Sequence, residues 1–166
     1  MVGAILGIVG TLAAVAAALI AAYQVYLSRF SLGVDLTLRL DERFESAEFL
    51  KKRCAAAHAI KGQPGSDIED VLDFFESLGL LTRRGALDQE FVYSTFFYWL
   101  YGYVSKCRGF IAEQRKKFPP RYGDLLWLHK KLVAIEESRY GPIQDSEWDG
   151  FLDEEEGLCI EATDAH

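Results

Sequence analysis

The sequence predicts an all-α protein with a single N-terminal transmembrane helix (residues 1–30), a four- to five-helix bundle (31–140) and an acidic tail (141–166). Three observations carry this. No charged side chain precedes Arg29. Beyond it, apolar residues recur at three-to-four spacing, with no period-2 run longer than a few residues. The charge is also split by position. Residues 31–140 hold 17 Lys+Arg against 16 Asp+Glu, whereas 141–166 hold nine acids and no Lys or Arg, in a chain of net charge −7.

The first segment, MVGAILGIVGTLAAVAAALIAAYQVYLS, is long enough to cross a bilayer, which takes about 20 apolar residues in a helix. A cleaved signal peptide needs a basic start and a shorter apolar run. Here no Lys or Arg comes first and the run is too long, so the anchor is preferred, although Ala18–Ala22 offers small residues for cleavage. Cytoplasmic flanks are enriched in Lys and Arg. Arg29, Arg39, Arg43 and Lys51-Lys52-Arg53 all follow the span. The expected topology therefore puts the N-terminus outside and the C-terminal domain in the cytoplasm, across the inner membrane. Gly3, Gly7, Gly10, Ala14, Ala18 and Ala22 place small residues at near-helical spacing, the pattern that lets membrane helices approach closely. Self-association, hence a homo-oligomer, is the expectation. The glycine spacing is not a G-x-G-x-x-G dinucleotide fingerprint, and no strand precedes it.

In the bundle, residues 34–60 read as one or two helices, with Leu36, Leu40, Phe44, Ala47, Leu50 and Cys54 on the apolar side and Ser46 as cap of the second piece. Lys61-Gly62-Gln63-Pro64-Gly65 breaks the chain. Ser66 with Glu69 forms a capping box before Ile68, Val71, Leu72, Phe75 and Leu78. Gly79 lies near that helix's end, and Leu80–Asp88 is a connector. Asp88 caps a helix expected to run unbroken to Phe118, where Pro119-Pro120 stop it. A last helix covers Tyr122 to Glu137, and Gly141-Pro142 ends it.

Phe91–Val104 holds eight aromatics in 14 residues, too short and too closely bounded by Asp88, Glu90 and Lys106 for a second span. It is apolar nearly all round, so one core stripe does not account for it. Tyr93, Tyr98 and Tyr101, with their polar tips, suit a half-wet contact. Together with Arg83 and Arg84 of the connector they form the candidate interaction surface for a protein partner. Three cysteines, Cys54, Cys107 and Cys159, are odd in number and do not make a disulfide framework; they fit a reducing compartment better. Cys54 and His58 share a helix face but lack a second ligand pair, so no metal, cofactor or catalytic residue is assigned. Two other readings are a membrane-tethered enzyme or regulator using the Cys54/His58 region, and a sensor of anionic lipid. The sensor would use the basic clusters Lys51-Lys52-Arg53, Arg83-Arg84, Arg115-Lys116-Lys117 and Arg121. The acidic tail argues against nucleic acid as a partner. It reads as a flexible, solvated arm, with folding back onto a basic patch as the alternative.

The segments LRLDERFESAEFLKKR (38–53), VLDFFESLGLLTRRGALD (71–88) and the aromatic Phe91–Trp99 resemble a family of small bacterial proteins of unknown function. The resemblance implies one N-terminal span and a helical cytoplasmic domain, and transfers no catalytic residue.

Overall fold

The computed structural model describes residues 2–62 and 67–164, and among these there are seven α-helices, one 3-10 turn and no strand. The all-α expectation holds, but the first two segments merge. Helix α1 (Val2–Phe44) is continuous, so the apolar segment and the first bundle helix are a single rod. Nothing in residues 28–34 breaks it. Gly33, the one weak helix former there, lies against the connector, where a Cβ would sit 3.1 Å from the Ala86 carbonyl oxygen. The last two turns of α1 enter the domain. Thr37 and Phe44 are buried, and Leu36 and Leu40 pack on the core.

Helix α2 (Ala47–Ile60) starts as expected at Ser46, whose hydroxyl accepts from the Phe49 N–H at 3.3 Å. Ser66, the expected cap of the next helix, lies outside the described residues. Helix α3 (Ile68–Arg83) follows Asp67, which has left-handed backbone (φ 68°) and makes no side-chain cap bond. Glu69 does not close a capping box on that residue; it pairs instead with Arg121 and accepts from Gln114. The helix runs past Gly79, which lies under a neighbouring helix: a Cβ there would stand 2.3 Å from the Asp124 carbonyl oxygen.

Asp88 caps helix α4 (Gln89–Lys106) by accepting from the Glu90 and Phe91 N–H groups. The unbroken helix to Phe118 does not form. The chain bends at Cys107 (φ −98°, ψ 12°) and continues as α5 (Arg108–Lys117). The bend keeps Ile111 in the core while Lys116 and Lys117 remain exposed; Gly109, a poor helix former, follows it. Helix α6 (Gly123–Tyr140) packs on α3 and α4, and ends at Gly141, whose φ of 91° favours glycine.

Buried aromatics form the centre. Phe44, Phe49, Phe74, Phe75 and Phe96 interlock with ring centroids 5.1–5.8 Å apart. Tilted and edge-on geometries dominate, as the ring quadrupoles prefer.

The flexible arm is where the structure departs most from expectation. After a 3-10 turn at Asp145–Trp148, helix α7 (Phe151–Asp164) lies along α2. The reason is that the acidic segment is not uniformly polar. Trp148 and Phe151 sit 6 % and 1 % exposed, each worth about 2–3 kcal/mol of burial. The acids between them meet cations and tyrosines already in the bundle.

Candidate interaction site

The most elaborate polar site lies between α2, α4 and α7. Arg53 projects from α2 into the protein interior. Its Nε and Nη2 donate to the two carboxylate oxygens of Glu155 at 2.9 and 2.7 Å, a bidentate fork. Both side chains are sealed, at 3 % and 4 % exposure. Tyr103 on α4 donates its hydroxyl to the same carboxylate. Nη1 of Arg53 reaches Glu45 at 3.1 Å and the Phe44 carbonyl at 3.4 Å. The guanidinium also lies over the Phe44 ring, 4.1 Å from its centroid. Burial, together with the negative charge of Glu155, pushes the Tyr103 hydroxyl well above its ordinary pKa.

Around this centre the pattern repeats. Lys61 donates to Asp153 and Glu156, and His58 Nε2 stands 3.0 Å from Glu156. Tyr98 donates to Glu154 at 2.6 Å and Tyr101 to Asp145 at 2.9 Å. The Trp148 indole donates to the Tyr98 carbonyl at 3.3 Å, and its ring stacks on Tyr98. Phe151 lies over Gly102, where a Cβ would come within 2.5 Å of the ring and force it to shift.

The residues singled out from the sequence divide accordingly. Tyr98 and Tyr101 meet the chain's own C-terminal segment, which covers much of the aromatic excess of α4. Tyr93 faces the other way and donates to Glu136 on α6. Burial and the facing carboxylates push Tyr93 and Tyr98 up to about 12. Arg83 pairs with Asp124 at 2.9 Å, while Arg84 is exposed at the end of α3. These two arginines are not part of the α7 site. Gly3, Gly7, Gly10 and Ala14 fall on α1, outside the residues whose side chains are described; Ala18 and Ala22 are exposed.

The Cys54/His58 pair offers no free thiol. Cys54 is buried and disulfide-bonded, which corrects the expectation of unpaired thiols and leaves no nucleophile there. The free thiol of Cys107 is buried, which pushes it up to about 12. Among the basic clusters, Lys52 pairs with Asp70, Lys116 with Glu113 and Arg121 with Glu69, while Arg53 is internal.

A second concavity, of about 650 Å³, opens between α1 and the start of α4, lined by Gly33, Val34, Thr37, Leu87, Phe91 and Ser94 among others. Its charged members, Asp88 and Glu90, are already used as a cap and as the partner of Arg139.

Sequence reasoning missed Arg53 and Glu155 as a pair. Arg53 stood in a basic triplet and Glu155 in an acidic run, and a separation of 102 residues carries no local signal. The available hint was Trp148 and Phe151, aromatic residues in an otherwise acidic segment.

No curated protein and no solved structure matches the chain. The family described as "Domain of unknown function (DUF4760)" matches residues 11–132, from α1 into α6, and leaves the 3-10 turn and α7 outside. The chain belongs to that family, whose domain supplies the groove while the segment filling it lies beyond.

Proposed function

We propose that the protein is a single-pass, membrane-anchored helical interaction module that associates with further copies of itself, its N-terminus outside and its domain on the cytoplasmic side. The supporting observation is the surface of α1. Leu19, Ile20, Tyr23, Val25, Tyr26 and Leu27 are all exposed, and among the described residues no part of the apolar window within Ala17–Phe44 is buried against the protein. An exposed apolar surface of this kind calls for cover, and a bilayer supplies it. In cell fractionation the chain is expected in the membrane pellet after an alkaline carbonate wash; recovery in the wash overturns the reading.

The basic flank after the span supports the cytoplasmic side. The disulfide at Cys54 favours the opposite side, because disulfides persist in oxidising compartments. Alkaline phosphatase fused after residue 140 decides between them. An inactive fusion supports the cytoplasmic placement and an active one reverses it. Cross-linking in intact cells tests association: a ladder of multiples of the chain is expected, and a lone monomer band contradicts self-association.

A further inference from the structure

We infer that the cavity between α1 and the start of α4 is a phospholipid site. It takes the phosphoethanolamine head of a bilayer lipid, with the ammonium on Asp88 and Glu90 and the phosphate on Arg84. This deepens the membrane-anchored reading proposed above and rests on it.

The position of the cavity selects a lipid. At about 650 Å³ it has the volume of a small-ligand pocket. It begins at Tyr26, in the exposed apolar stretch of α1, and follows the helix past Gly33 and Val34 to Thr37. From Tyr26 to Thr37 the helix rises about 16 Å. The headgroup layer of a bilayer is about 5–7 Å deep on each side, so a cavity of that length spans it when the apolar stretch lies in hydrocarbon. Tyr23 and Tyr26, both exposed, are of the residue type enriched at that level. The facing wall is apolar at Leu87 and Phe91, which suits the upper part of an acyl chain.

The polar groups select the head. Among the described residues no Lys, Arg or His lines the cavity. The hydroxyls of Thr37 and Ser94 donate to the carbonyls of Gly33 and Phe91 in their own helices, which leaves their oxygens as acceptors. Asp88 receives both cap N–H groups on Oδ1, and Glu90 receives Arg139 on Oε1, so each carboxylate keeps a second oxygen for a further donor. Such a lining repels phosphate and favours a cation that carries N–H groups. Arg84 adjoins Gly85 at the rim, exposed and without an ion pair among the described residues. A cation and two carboxylates on one short connector thus match the two opposite charges of one phosphoethanolamine head. A glycerol-phosphate head satisfies Arg84 alone, and a choline head brings charge without an N–H.

Native mass spectrometry of the full-length protein tests this. The chain is purified in detergent and offered equal amounts of phosphatidylethanolamine, phosphatidylcholine and phosphatidylglycerol with the same acyl chains. Phosphatidylethanolamine is expected to be retained about tenfold above either competitor, the scale of a hydrogen bond to a charged group. Equal retention of the three, or preference for either competitor, overturns the inference. Soluble phosphoethanolamine has no acyl chain and is expected to leave the lipid in place; displacement at matched concentration overturns a lipid as the occupant. Asp88→Asn keeps an equally good helix cap, and Arg84→Gln changes an exposed side chain, so both should fold like the parent. Each should cut the preference by about threefold or more, the scale of an exposed ion pair. Ser94→Trp fills the cavity and should abolish retention. An undiminished preference in any of the three overturns the assignment. A chain that stays in the carbonate-washed pellet yet shows no preference refutes the lipid site alone, whereas recovery in the wash refutes the anchor as well.

Discussion

Glu155→Gln keeps the shape of the side chain and removes its charge, and the structure sets the size of the effect. Arg53 would retain Glu45, which is half exposed, but lose its buried counter-ion. Leaving a buried guanidinium without that partner costs about 3–5 kcal/mol. The protein has a cheaper response than global unfolding. Detaching residues 145–157 returns Arg53 to water and recovers backbone entropy at about 1 kcal/mol or more per residue, which offsets the lost burial of Trp148 and Phe151. The variant is therefore expected to loosen locally. In reducing buffer, which opens the disulfide at Cys54, hydrogen exchange read by mass spectrometry should show amides of 151–157 exchanging about 100-fold faster or more, the low end of that cost. Amides of α3, α4 and α6 should stay within about threefold of the parent. A change in α7 below about fivefold would refute Glu155 as the latch. Equal acceleration throughout would refute the separability of α7. The apolar pair Arg53→Met with Glu155→Leu is expected to restore protection to within about tenfold, since a buried ion pair is often replaceable by well-packed apolar groups.

The same packing sets other outcomes. Gly102→Ala places a methyl against the Phe151 ring, a movable side chain, so α7 protection should fall while thermal unfolding of the bundle is unchanged. Gly79→Ala drives its methyl into the Asp124 backbone and should cost the whole domain about 2–3 kcal/mol in urea unfolding. His129 is held neutral, its pKa lowered to about 4 by burial and by the Arg108 charge. Its folded pKa lies below the ordinary 6.5, so the associated stability is complete above pH 6.5 and is lost as pH falls toward 4. The loss should be about 2–4 kcal/mol, and His129→Gln should flatten that part of the pH profile. Cys107, 2 % exposed with its thiol pushed up to about 12, should alkylate at neutral pH about a thousandfold more slowly than a free thiol; a rate near that of a free thiol contradicts its burial.

Local physics was legible in the sequence. The Ser46 and Asp88 caps, the helical class and the apolar faces of α3 and α6 all come from short-range rules that need only a few neighbouring residues. The excess of aromatics on α4 was legible too, as a face needing cover. What covers it was not, because the cover comes from residues 145–157, whose composition reads as a solvated arm. Two aromatics among the acids decide the outcome only once the groove exists. The break at Cys107 was hidden for a related reason. Helix propensity hardly falls there before Gly109, and the bend serves the burial of Ile111, a tertiary demand. The Arg53–Glu155 pair illustrates the general case: each residue is typical of its local run, and only the fold makes the two a unit.

The continuity of α1 has a mechanical consequence. From Ala17 to Phe44 it is a stiff lever about 40 Å long at the usual helical rise. Its far end is the Phe44 ring, on which the Arg53 guanidinium rests. With no slack joint between the exposed apolar stretch and the aromatic hub, a rotation or tilt imposed at one end is delivered to the other. The clasp holding the C-terminal helix thus stands at the end of a shaft whose other end is surrounded by whatever phase encloses residues 17–28.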